Sequence, residues 1–221
     1  MQMLSHMGSQ LVDLCSALLL LTCFAIVAQR RLSACVDLFA LQSVFLVVTA
    51  TLVAYLTGNH HIYIAAALTG VIKVVIIPKV LKKVIERLNV KRELVMNVNV
   101  PAGLLICGAL VMLAFFIAQP IIPLGFLLTR DSLAIALAIV LIGLFTMIAR
   151  QKAVTQLVGF LVMENGLFLG ATAATHGMPL IVELGVFFDV LIATLIAGIY
   201  TNRLQDAFDS VDTSHLTVLK E

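Results

Sequence analysis

Seven apolar stretches alternate with short polar breaks along the chain, each near the ~20 residues that cross a hydrocarbon core. They run from about Leu11 to Ala28, Ala34 to Leu56, Ile62 to Pro78, Pro101 to Ala118, Ser132 to Ala149, Ala153 to Thr175 and Leu180 to Tyr200. The breaks suit helix ends. Thr57-Gly58-Asn59 and His176-Gly177-Met178-Pro179 read as tight turns. Pro120 and Pro123 interrupt the chain after the fourth stretch, and Pro101 suits a first helical turn. Asp131-Ser132 offers a cap for the fifth. The pattern predicts an all-α, polytopic membrane protein of about seven transmembrane helices.

Basic residues orient the helices. With the N-terminus outside, the inner loops and tail hold Arg30, Arg31, Lys79, Lys82, Lys83, Arg87, Lys91, Arg92, Arg150, Lys152, Arg203 and Lys220. The outer loops hold Arg130 alone, and Lys73 lies within the third stretch. This split predicts an outside N-terminus and a cytoplasmic C-terminus in a multi-pass protein of the cell inner (cytoplasmic) membrane. In Lys79 to Asn99, Val80, Val84, Ile85 and Leu88 recur at helical spacing among basic residues. The segment reads either as an interfacial amphipathic helix or as a docking surface for a cytoplasmic partner. The expected units are a three-helix bundle (1–78), a cytoplasmic amphipathic linker (79–100), a fourth helix with its outer loop (101–130), a second three-helix bundle (131–203) and a cytoplasmic tail (204–221). A faint repeat aligns Ala28-Gln29-Arg30-Arg31 with Ala149-Arg150-Gln151-Lys152, Phe39 with Phe160, and Thr51 with Thr172.

Composition agrees. Of 221 residues 62% are hydrophobic and 12% charged, with a mean hydropathy of +1.12. Soluble domains carry about 25% charge. Cys15, Cys23, Cys35 and Cys107 form no C-x-x-C pair and read as small apolar filler. No basic residue precedes the first apolar run, as a signal peptide would require. Walker A, dinucleotide-fingerprint and H-E-x-x-H motifs are absent, as is a histidine pair disposed across two helices for haem. The expectation is a chain with no cofactor, no metal, no nucleic-acid partner and no catalysis or electron transfer of its own.

The chemistry then rests on charge inside the membrane. Glu164 is central in the sixth stretch and Asp189 in the seventh. A charge at mid-bilayer costs about 2.5–3.5 kcal/mol on insertion scales, and spanning a membrane does not require it. Glu164 lies about thirteen residues before the Gly177-Met178 turn and Asp189 about eleven after it, so an antiparallel hairpin sets them within about 3 Å in depth. Two carboxyls at one level in low dielectric resist ionising together, so one is suited to hold and release a proton. Glu183 lies about 9 Å nearer the outside and some 120° around the helix; it reads as a third station or an interfacial charge. Lys73, about five residues before Pro78, either snorkels to the headgroups or joins the carboxylates in a proton or ion relay. His60, His61 and His176 fall at predicted outer turns and read as surface residues. Asp37 reads as reaching water. Gly159, Gly166 and Gly170 mark a helix face suited to close backbone approach.

The region from Gly143 to Arg203 resembles the small three-helix K-type subunit of bacterial complex I. Both have a basic pair opening the middle helix (here Arg150 and Lys152), a central glutamate, a short outer turn and a central acid in the last helix. Glu164 stands about one helical turn from that family's usual position, near Phe160, and Asp189 stands where it has a glutamate. The longer chain, with Val158 to Gly166 (VGFLVMENG) and Glu183 to Leu191 (ELGVFFDVL), is similar to the hydrogenase-4 component E family of group 4 nickel–iron hydrogenases. That resemblance implies a non-redox membrane subunit of a formate hydrogenlyase-like complex. Its carboxylates would serve proton or cation translocation, beside antiporter-like partners. The alternatives are a subunit of a multi-subunit cation/proton antiporter, a stand-alone transporter, or a purely structural membrane subunit.

Overall fold

Backbone amides in lipid have no water to bond, so a spanning chain closes its hydrogen bonds within helices. The computed structural model describes residues 2–58, 60–87, 98–119, 130–151 and 153–175. The predicted seventh stretch with Glu183 and Asp189, His176, and the outer-loop prolines Pro120 and Pro123 lie outside them. The helices are α1 (Gln2–Ala28), α2 (Leu32–Thr57), α3 (His60–Thr69), a π-helical segment (Gly70–Ile76), α4 (Ile77–Arg87), α5 (Val100–Ala118), α6 (Arg130–Ala149) and α7 (Ala153–Thr175). There is no strand among the described residues. With α3, the π segment and α4 forming one continuous rod, six helices among the described residues are long and apolar enough to cross a membrane. Large apolar side chains such as Leu21, Tyr55, Ile64, Leu105, Met112, Phe116 and Ile148 are exposed on the outside of the bundle. In water they would form an aggregating surface; in lipid they are the solvated face.

The third rod departs from expectation. Pro78 does not end it, and the helix continues to Arg87. A proline within a helix brings no N–H and crowds the carbonyl four residues before it. Here the preceding turns widen instead, and the Ile77 N–H donates to the Ile72 carbonyl five residues back. The rod is about 40 Å long at 1.5 Å per residue, longer than the ~30 Å hydrocarbon core. Its last turns, with exposed Lys79, Lys82 and Lys83, therefore pass beyond the apolar layer. Leu81 and Val84 are buried, and Val80 and Ile85 pack on the core. The apolar stripe of Lys79 to Arg87 thus faces the bundle, where an interfacial helix would face lipid. Lys82 pairs with Asp37 of α2, both half exposed.

Gly58, with φ at 68°, closes α2 in the left-handed conformation that glycine adopts without strain. The largest helix interface joins α6 and α7, and α1 packs on α2 and α6 while α2 packs on α7 and the π segment. α5 leans on α6 and α1 and has little buried surface. Glycines set the α6–α7 distance. A Cβ at Gly143 would stand 2.6 Å from the Met163 nitrogen, and one at Gly166 would stand 2.9 Å from the Ala136 oxygen. One at Gly170 would meet side chains alone, the Ala136 Cβ at 3.3 Å and the Leu133 Cδ1 at 4.0 Å.

Arg150, between α6 and α7, is 2% exposed and locks the two helix pairs together. Its Nη2 donates to the carbonyls of Ile26 (3.1 Å), Val27 (3.1 Å) and Gln29 (3.0 Å), capping the end of α1. A cation there meets the negative end of the helix dipole. Burial pushes the guanidinium below its ordinary value, opposed by the Cys35 group beside it; arginine starts high enough to keep its charge. The Ser132 Oγ lies 3.1 Å from the Ser16 Oγ and donates to Asp13 at 3.4 Å, tying α6 to α1.

Gly143→Ala and Gly166→Ala should each destabilise the chain by about 1–3 kcal/mol through overpacking, while Gly170→Ala should cost less. Thermal unfolding in detergent checks the order; equal loss at all three sites would contradict the close α6–α7 approach.

Candidate functional site

Most hydroxyls inside the bundle are satisfied by their own helix and need no further account. Ser43 donates to the Phe39 carbonyl, Thr49 to Phe45, Thr146 to Ile142 and Thr172 to Phe168, each four residues back. The polar groups that bond between helices are those that matter.

Glu164 is midway along α7, and Lys73 is near the middle of the third span, Ile62–Glu86. Lys73 lies about 9 Å along the rod from the exposed Lys79, yet its side chain turns into the bundle. It is 1% exposed and Glu164 is 5% exposed, so neither reaches headgroups. Lys73 Nζ lies 3.2 Å from Glu164 Oε1 and donates to Asn165 Oδ1 at 3.0 Å. Asn165, wholly buried, donates through Nδ2 to Gln42 Oε1 of α2 at 3.1 Å. Gln42 Nε2 in turn donates to the Leu19 carbonyl of α1 at 3.2 Å and contacts Cys23 Sγ at 2.9 Å. A polar chain therefore crosses the bundle from α7 through the π segment and back through α7 to α2 and α1.

Local structure aims these groups. Consecutive Glu164 and Asn165 are about 100° apart around α7, so both can address one lysine from adjacent directions. The π segment centres on Lys73 and carries it between α2 and α7. The tight α6–α7 seam, set by Gly143, Gly159 and Gly166, holds the opposite side of α7 fixed. A buried ion pair in low dielectric is held by geometry and added hydrogen bonds. Proton transfer from the ammonium to the carboxylate would convert the ion pair to a neutral pair with no change in net charge. The site can thus hold a proton on either partner.

Of the four residues proposed from sequence as relay members, Lys73 and Glu164 meet; Asp189 and Glu183 lie outside the described residues. Sequence reasoning passed over Asn165 and Gln42. The available signal was an amide in each of two apolar runs, one adjoining the central glutamate. It counted Arg150 among the inner-side basic residues without foreseeing that its Nη2 reaches the carbonyls at the end of α1. No group of three or more His, Cys, Asp or Glu suited to a metal occurs among the described residues.

Comparisons with known proteins cover nearly the whole chain. The uncharacterized protein Rv0085 of Mycobacterium tuberculosis is 35% identical over 215 residues, spanning 96% of this chain and 97% of its own length. Hydrogenase-4 component E of Escherichia coli K12 is 25% identical over 217 residues, spanning 96% of this chain and 99% of its own. The Shigella flexneri component E matches to the same extent. No family model matches, and no solved structure matches.

Lys73→Met strands the buried Glu164 and should destabilise the purified chain by about 3–5 kcal/mol. The double variant Lys73→Met/Glu164→Met should recover most of that loss, since it leaves no unpaired charge. Thermal unfolding of the singles and the double measures the coupling; additive effects would mean that the pair does not interact.

Proposed function

We propose that the chain is of the hydrogenase-4 component E kind, a membrane subunit of a formate hydrogenlyase-like hydrogenase complex, serving ion translocation rather than redox chemistry; its similarity to hydrogenase-4 component E over nearly its whole length supports this reading. The observation that carries this reading is the buried Lys73–Glu164 pair at mid-span. Spanning a membrane does not need it, and its cost calls for a role. Electrons would pass through partner subunits, and the pair would be one station on a proton or cation path. Asp189 and Glu183 of the predicted seventh helix would continue the path, as the resemblance of residues 143–203 to the K-type subunit of complex I implies. Antiporter-like subunits are the expected neighbours, because a single acid–base pair at mid-depth needs further stations to reach either surface.

The orientation on this reading follows the basic residues. Arg30, Arg31, Lys79, Lys82 and Lys83 gather where α1 ends, α2 begins and α4 runs out, and they are exposed. That end would face the cytoplasm of the inner membrane, with the N-terminus outside.

Gentle purification of a tagged chain from its native membrane should bring down nickel–iron hydrogenase and antiporter-like subunits; recovery of the chain alone as a homo-oligomer would overturn the assignment. Within the complex, Glu164→Gln keeps an oxygen facing Lys73, so assembly should survive. Ions moved per turnover should fall about a hundredfold or more, the scale of losing a positioned acid–base group. Unchanged coupling in a fully assembled Glu164→Gln complex would reduce the pair to structural glue between helices.

A further inference from the structure

The amide chain beside the ion pair has a direction, and a main-chain group sets it. The Leu19 carbonyl can only accept. It already takes the Thr22 hydroxyl at 2.6 Å and lies 3.2 Å from the Gln42 side-chain nitrogen. Gln42 must therefore present its NH2 to α1, which leaves Oε1 facing α7. That oxygen lies 3.1 Å from Asn165 Nδ2, so Asn165 in turn must present its NH2 to α2 and its Oδ1 to Lys73. Each amide has two chemically distinct ends, and the orientation chosen at Leu19 propagates along both to the lysine.

The consequence falls on Lys73. An amide that could rotate freely would offer the lysine either an acceptor or a donor, and so would favour neither protonation state. Locked as it is, Asn165 offers only an acceptor. With the Glu164 carboxylate 3.2 Å from the same nitrogen, the surroundings of Nζ supply acceptors to a group that, as an ammonium, is all donor. All members of the chain are closed off from lipid: Gln42 and Asn165 are both wholly buried, so water does not compete for their hydrogen bonds.

We propose that Gln42 and Asn165 are positioning residues for the ion path: anchored on the Leu19 carbonyl, they hold Lys73 as an ammonium aimed at Glu164 and tie the state of that pair to the α1–α2 hairpin. The proposal rests on the relay reading of Lys73 and Glu164 given above. It adds that the first two helices take part in the chemistry through this amide chain. The direction from which Nζ faces Glu164 then persists so long as the amides keep their orientation.

The test uses the intact complex in vesicles and compares ions moved per turnover across a pH series. Gln42→Leu removes the anchor and frees the Asn165 amide to turn. Coupling should fall about tenfold, as expected from loss of one hydrogen bond to a charged group. Gln42→Glu is the discriminating variant. Its carboxyl can copy the glutamine only when protonated, with O–H toward Leu19 and C=O toward Asn165. It should therefore couple like the native complex at acid pH and like Gln42→Leu at alkaline pH. A merely structural glutamine would give the same loss at every pH, or none, and either result would overturn the proposal. Glu164→Gln, run in parallel, separates the two claims. If it couples normally, the relay reading itself fails. If it abolishes coupling while both Gln42 variants, assembled to native levels, keep the native pH profile, only the positioning role fails.

Discussion

A lysine ammonium in the middle of a bilayer must find its acceptors inside the protein, because lipid has none to offer. This constraint organises the interior of the bundle. Lys73 cannot be satisfied by one helix. It takes a carboxylate and an amide oxygen from α7, and that amide needs α2, which needs α1. Helices distant in sequence are thereby joined by directional bonds, in a medium where the hydrophobic effect gives packed helices no preference for one another over lipid.

Other features make sense as support for that bond set. The α6–α7 interface is nearly free of side-chain bulk at Gly143, Gly159 and Gly166, so α7 sits at a fixed distance from its neighbour and its charged face stays aimed at the third rod. The rod solves a different problem. Pro78 would break the regular hydrogen-bond ladder just where helix must continue outward to the basic turns of α4. The widened turns before it accommodate the proline without ending the helix, and Lys73 lies within them. At the far end, Arg150 caps α1 with three bonds from a single nitrogen. The α1–α2 pair that anchors the amide chain is thus itself pinned to the α6–α7 pair.

What the sequence revealed followed from hydropathy, and what it hid followed from direction. Among the described residues, apolar runs located five of the six spans to within a few residues, since bilayer thickness fixes their length; the third runs on past Pro78 to Glu86. Glu164 stood out because a carboxylate in such a run has a known cost. Lys73 was ambiguous, because a lysine near the end of an apolar run can reach either the headgroups or the bundle interior, and only packing shows that its amine meets Glu164 and Asn165. Asn165 and Gln42 were invisible as a pair. Neutral amides are inexpensive in an apolar run, and only the packing of α2 on α7 turns two unremarked residues, 123 positions apart, into one hydrogen bond. Arg150 was readable as a basic residue at a loop, and what its guanidinium touches depends on where α1 ends beside it, which the sequence does not show.

The polar interior also bears on which parts of the chain are chemically equivalent. Were residues 143–203 equivalent to a separate three-helix subunit, the first helices would be an addition. Yet the hydrogen bond from the Asn165 NH2 ends on Gln42 of α2, which is itself bonded to α1, and the Arg150 guanidinium and Ser132 hydroxyl also reach α1. If α1 and α2 were only a membrane anchor, apolar contact would hold them well enough, and a glutamine facing an asparagine across two spans would be an avoidable cost. On the proposed reading that cost has a return. A chain whose orientation is fixed by one carbonyl on α1 lets a shift of the first hairpin change the acceptor that Lys73 sees, with no charge moved between the two. Such an arrangement couples a neutral displacement to a buried ion pair through groups that cannot themselves exchange protons, keeping the mechanical link separate from the path the ion takes.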